Sequence, residues 1–171
     1  DRGVGPVSDG PGLAGGVNAH LKKVDFTTSA ALTAHYDVTA LYRSTDSSRA
    51  IGGVAGIAND RYRLNLIGSY EKGEDLRIPG GKVRDSGFRR DVFGLSAGMR
   101  TGAGEIELEL RRQETGYSGN PPFAMDILYF DTDFARLGFK GDVGDSIRLE
   151  AAFGYAGIEH GMDNHTLRPA P

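Results

Sequence analysis

Apolar and polar positions alternate along most of the chain. In Glu105 to Arg111, Ile106, Leu108 and Leu110 point one way, and Glu105, Glu107, Glu109 and Arg111 the other. A helix would scatter these residues around its circumference; a strand sorts them into one apolar and one charged face. Tyr62, Leu64, Leu66 and Tyr70 share a face with Gly68, and Phe93, Leu95, Ala97 and Met99 share another. Ile147, Leu149, Ala151, Phe153 and Tyr155 stand against Arg148 and Glu150. Ala30, Leu32, Ala34 and Tyr36 begin the pattern, and Leu137 and Phe139 continue it opposite Arg136 and Lys140. The alternation predicts seven strands, at about 29–42, 49–58, 61–72, 89–100, 105–114, 128–140 and 147–158, with an eighth available near 14–24. No stretch predicts a helix longer than a turn or two.

The predicted connections alternate in length. Asn59-Asp60, Thr101 to Gly104 and Gly141 to Ser146 are short; 71–90, Gln113 to Asp126 and the stretch after Ile158 are long. Short turns at one end and long loops at the other are the layout of an outer-membrane β-barrel, whereas a soluble sandwich has no reason to sort its loops this way. Tyr36, Tyr42, Tyr70, Tyr129, Phe130, Phe134 and Tyr155 fall near strand ends, as interfacial girdles would, although Tyr and Phe also favour strands in general. The expected fold is all-β: an antiparallel up-and-down outer-membrane barrel with seven or eight strands present.

Composition agrees with this pattern. Glycine supplies 26 of 171 residues, about twice the usual share of roughly 7%. The mean hydropathy of -0.35 resembles that of a soluble protein, but a barrel that alternates its faces averages near neutral as well. No apolar run approaches the roughly 20 residues of a membrane helix. The net charge of -3 argues against nucleic acid as a partner. The absence of Cys excludes a disulfide scaffold, a Cys-based zinc site and a Cys nucleophile within these residues. The chain opens on Asp1 and closes on Arg168-Pro-Ala-Pro171, so the expectation is a mature protein or an internal fragment.

Four segments carry a family resemblance. Ala124-Met-Asp-Ile-Leu-Tyr-Phe-Asp-Thr-Asp133 precedes a strand, a turn and a second strand, which run into Glu159-His-Gly-Met-Asp-Asn-His-Thr-Leu-Arg168. This arrangement resembles the TonB-dependent outer-membrane receptors, specifically their copper-receptor branch, where a Met-Asp loop precedes a hairpin ending in a His-x-Met-Asp-Asn-x-x-Leu-Arg run. Asn59 to Asp75 is similar to an early barrel hairpin of these receptors, and Gly10 to Val17 to the Gly-rich end of their plug domain. The resemblance implies that 1–25 is a plug-end or linker segment and 26–171 the N-terminal part of a barrel of about 22 strands. It also implies a transport protein, not an enzyme, in the outer membrane of a Gram-negative bacterium. Its expected partners are outer-membrane lipid and lipopolysaccharide, the TonB complex in the full-length protein, and a metal ion or metal chelate as cargo.

His160 and Met162 are two residues apart, so on a strand they share a face with Cα atoms about 7 Å apart. An imidazole beside a thioether suits soft Cu(I) better than Mg or Ca. In the family this pair supplies barrel-side copper ligands and the plug supplies the others, so the resemblance assigns His160 and Met162 to the transported copper ion. His165 and Met125 are weaker candidates for the same vestibule. Asp163-Asn164 reads as turn chemistry. Glu105, Glu107, Glu109 and Arg111 read as lumen lining with mutual charge compensation rather than as catalytic carboxylates. Gly73, Gly80 and Gly81 lack the strand-to-helix context of a phosphate cradle, and Ser and His form no nucleophile elbow.

Two other classes remain at this point. One is a complete eight-stranded barrel with a structural or adhesion role. The other is an outer-membrane hydrolase using Asp126, Asp131, Asp133 and His160 at the barrel rim, although no spacing selects these four.

Overall fold

A computed structural model describes residues 23–144 and 147–168. These form β1 (Thr33–Arg43), β2 (Ser48–Ala58), β3 (Tyr62–Gly73), β4 (Leu76–Ile78), β5 (Gly81–Val83), β6 (Phe88–Thr101), β7 (Gly104–Ser118), β8 (Asp126–Val143) and β9 (Ile147–Asp163). Seven of them make one antiparallel sheet in the order β1-β2-β3-β6-β7-β8-β9, and β4 and β5 form a small hairpin inside the β3–β6 connection. Every strand of the sheet therefore pairs with its neighbour in the meander, as the alternation predicts. The eighth strand expected near 14–24 falls largely outside the described residues; Lys23 and Val24 are described and belong to no strand.

The faces sort as expected. Ile106, Leu108 and Leu110 lie beside Met99, Ala97 and Leu95 on one side and Phe139, Leu137 and Ala135 on the other. This apolar face is bare, with Tyr36 at 84% and Phe153 at 74% exposure. Among the described residues, the buried apolar side chains are Val54 and Ala58, and both lie on the opposite, polar face. A contiguous apolar face of this extent requires an apolar medium or a partner. Within the described residues the sheet is open, because β1 and β9 each pair along one side.

The apolar band crosses the sheet obliquely. Ala40, Ile51 and Tyr70 are register neighbours on β1 to β3, and the same row continues as Asp91, Glu114, Asp131 and Glu159 on β6 to β9. On β9 the band ends at Tyr155, four residues before Glu159, and at its other end it extends to Leu149 and Ile147. Barrel strands tilt by about 45° with a fixed stagger, so a slab of constant thickness meets each successive strand at a shifted position.

Three expectations need correction. The segments 115–118 and 159–163, expected in loops, continue β7 and β9, while Asp126 and Ile127 begin β8 early. These extensions lie beyond the apolar band, where no apolar burial enforces alternation, yet the backbone ladder persists. It is interrupted by irregularities between Arg89 and Arg90 and between Ile127 and Tyr129. Phe130 and Phe134, expected in a girdle, lie on the polar face, because Asp131 and Asp133 take the other one. Mutual compensation within β7 is also replaced by partners from elsewhere in the fold.

Those partners meet at the short-turn end, where the residues preceding β1 cross the polar face. Thr27 N–H donates to the Asn59 carbonyl (3.0 Å), and Asp60 N–H to that of Ser29 (2.9 Å). Val24 N–H donates to Asn65 Oδ1 (2.7 Å), and Asn65, fully buried, donates to Ser96 Oγ (3.2 Å). Arg63, also buried, reaches Glu105 (2.9 Å) and Glu107 (3.2 Å), and Lys23 pairs with Glu107. Phe26 packs against the guanidinium groups of both Arg63 (4.6 Å) and Arg100 (4.2 Å). Arg111 instead lies over the Phe134 ring (5.0 Å). The β6–β7 turn at this end needs Gly104, whose φ is 146°; a Cβ there would sit 2.4 Å from the Lys140 carbonyl oxygen.

Candidate functional site

The long-loop end of β8 and β9 holds the predicted site residues. His160 and Met162 both lie on the polar face of β9, because the strand continues through them. His160 is opposite Phe130, with ring centroids 5.7 Å apart, and Met162 is opposite Ile127. The irregularity between Ile127 and Tyr129 falls between these two pairs and bends β8 where the ladder leaves the apolar band. Met162 is 40% exposed, and Met125, just before Asp126, is 42% exposed. The pairing of Asp126 with Asp163 places the Met125 loop next to the end of β9.

A buried ion pair closes this end, and sequence reasoning did not identify it. The Asp126 carboxylate is fully buried. It accepts two hydrogen bonds from Arg168, one of them from Nε at 2.6 Å, and one from Asn120 N–H at 2.7 Å. Arg168 also donates to the carbonyls of Phe123 (3.2 Å) and Asn120 (3.3 Å). The chain leaving β9 is thereby held against the β7–β8 loop. The Arg168 guanidinium keeps the Asp126 carboxyl below the usual carboxylate range, assisted by the Asn120 amide against the opposing effect of burial. Both residues end quoted motifs, Met-Asp and Leu-Arg, but no spacing rule pairs residues 42 positions apart.

Asp163 acts as the expected turn residue. It accepts from the amides of His165 (3.1 Å) and Thr166 (3.0 Å) and from the Thr166 hydroxyl, which with the amides holds its carboxyl below the usual range. His165 is thus turned towards Asp163, with Nε2 3.6 Å from Oδ2. Among the described residues, no group of three or more His, Asp or Glu is arranged to hold a metal ion. The four residues of the hydrolase reading do not assemble. Asp131 and Asp133 pair with Arg112 on the apolar-face side, Asp126 is committed to Arg168, and His160 lies on the polar face.

An antiparallel meander with one bare, obliquely banded apolar face, turns of two or three residues at one end and connections of four, fourteen and seven residues at the other has the architecture of part of a β-barrel wall. Comparison with solved structures agrees. The chain superposes on copper transporter OprC with a TM-score of 0.76 over 86% of its length, at 19% sequence identity. At that identity the likeness is one of fold. The chain spans 23% of that transporter. No family model and no curated protein matches the sequence.

Proposed function

We propose that this chain is part of the barrel of a TonB-dependent outer-membrane receptor that takes up a metal ion, with copper favoured over a metal chelate. The fold likeness to a copper transporter over 86% of the chain is the observation that carries this reading. The edges of β1 and β9, unpaired among the described residues, favour a larger barrel over a complete eight-stranded one, since unpaired edges are not tolerated in lipid. In the full-length receptor, the TonB complex would drive transport and a plug would complete the copper site. His160 and Met162 would present an imidazole and a thioether from the outer rim, a soft pair suited to Cu(I).

Fractionated source cells probed with an antibody against residues 71–90 should give an outer-membrane band several-fold larger than 18.3 kDa. A heat-modifiable band near 18 kDa would favour the small barrel instead. In the full-length receptor, replacing both His160 and Met162 by Ala should abolish copper binding. Unchanged stoichiometry would remove the pair from the site.

A further inference from the structure

Just beyond the apolar band, on the same face, three cations occupy one register row. Arg49 is opposite Lys72, and Lys72 is opposite Arg89. Tyr42 lies beside Arg49 and Tyr117 beside Arg89, so the row reads Tyr-Arg-Lys-Arg-Tyr across five adjacent strands. All three cations are exposed. The next row towards the band is Ala40, Ile51 and Tyr70, which is apolar. The row therefore lies at the height where the wall leaves hydrocarbon, on the side that faces lipid.

Like charges directly opposite one another on neighbouring strands are destabilising. Arg89 has a partner in Asp91 (3.0 Å) and lies over Tyr70 (6.0 Å), but among the described residues Arg49 and Lys72 meet no carboxylate. The nearby acids are engaged elsewhere: Glu71 pairs with Arg43 and Arg90, and Asp46 with Arg43. Arg49 and Lys72 are therefore left unneutralised by the described protein, and the row is flanked by aromatic residues of the kind that sit at headgroup level. On β7 to β9 the same belt is acidic, with Glu114, Asp131, Asp133 and Glu159 around Arg112. The three-cation row is thus confined to one sector of the wall.

We propose that Arg49, Lys72 and Arg89 form a docking surface for the phosphate groups of outer-leaflet lipopolysaccharide, with Tyr42 and Tyr117 at its margins. The lipid phosphates would supply the negative charge that the described protein leaves out, and the acyl chains would lie along the apolar band beneath. This inference rests on the outer-membrane reading but not on copper as cargo.

The test uses the full-length protein extracted from outer membranes. Phosphatidylcholine vesicles carrying bis-phosphorylated lipid A should retain it, and vesicles carrying dephosphorylated lipid A should not. Combined Arg49→Gln, Lys72→Gln and Arg89→Gln should weaken the retained lipid about a hundredfold, at roughly fivefold per cation near an anionic surface. The charge-preserving set Arg49→Lys, Lys72→Arg and Arg89→Lys should keep most of it. Should the triple variant lose heat-modifiability, the single Arg49→Gln and Lys72→Gln proteins should each show about a fivefold loss. Equal retention by wild-type and neutralised proteins, or equal retention of both lipid A forms, overturns the proposal. Displacement by inorganic phosphate alone would make this a free-phosphate site and overturns it too. A protein missing from the outer membrane refutes the parent reading, whereas an outer-membrane protein indifferent to the three charges refutes only this one.

Discussion

Each end of the sheet has an arginine that binds carboxylates, and the two arrangements are opposites. At the short-turn end the deeply buried member is the cation: the Arg63 side chain is 5% exposed, while Glu105 and Glu107 keep 31% and 17% exposure. At the long-loop end the buried member is the anion: Asp126 is fully buried and Arg168 is 21% exposed. A carboxylate without water must find all its donors in the protein, and Asp126 finds them in Arg168 and Asn120. Arg63 instead leaves Nε without a partner and relies on Phe26 and three acids, Glu105, Glu107 and Asp25, that water can still reach. Breaking the outer pair therefore strands a buried charge, whereas loosening the inner one exposes groups that can hydrate.

The largest expected effect follows at the outer end. In the full-length protein, Arg168→Met should speed amide exchange in 119–125 and 164–168 by about tenfold or more, since breaking a buried pair costs far more than its net worth. Arg168→Met combined with Asp126→Asn should exchange more slowly than the single variant. If the two exchange alike, stranding of the Asp126 charge is not the cause.

A second effect separates the two ends at the inner one. A Cβ on Gly98 would lie 2.5 Å from Arg63 Nε and 2.9 Å from its Cγ. Gly98→Val should push Arg63 off the wall at a cost of about 1–3 kcal/mol. Protease access at residues 23–30 should increase, with the outer loops unchanged. Protection of 23–30 as in the wild type would mean that the segment is held by its backbone bonds to Asn59, Asp60 and Asn65 alone.

Acid sharpens the contrast further. The Asp126 pKa is depressed in the folded protein, chiefly by the Arg168 hydrogen bonds. Its contribution is therefore complete above the ordinary value of about 3.9 and is lost as pH falls through the depressed one. A nitroxide at position 123 should keep the same mobility from neutral pH down to about 4 and loosen only below. Loosening already between neutrality and pH 5 would show that Asp126 does not hold the loop.

The smallest effect concerns the band between the ends. Spin labels at 106, 108 and 110 should respond to lipid-soluble quenchers, and labels at 105, 107 and 109 should not. Within one register row, a label at 70 should be reached from lipid and one at 114 from water. Equal accessibility of 70 and 114 would remove the oblique band, and with it the tilt that the band implies.

Much of the fold is legible in the residues themselves. All seven long strands, their order and their apolar faces follow from alternation, because each position records whether it sits on the apolar or the polar face. The strand ends beyond the band are not legible for the same reason: at 115–118 and 159–163 no apolar medium enforces a pattern. His160 and Met162 could be placed on one face from their spacing, which holds as long as the strand continues through them. Asp126 with Arg168, and Arg63 with Glu105, Glu107, Lys23 and Phe26, could not be found that way.

The sequence by itself determined the strand meander and which face of it is apolar. Those properties are local, set by a period of two and by each side chain's preference for its medium. Only the tertiary structure decided which charges are buried, which partner satisfies each, and how the apolar band slants across the wall. These depend on the register between strands and on the return of the chain over 42 residues to bring Arg168 against Asp126. No local pattern encodes either, because the energy of a buried charge depends on the groups that surround it in space.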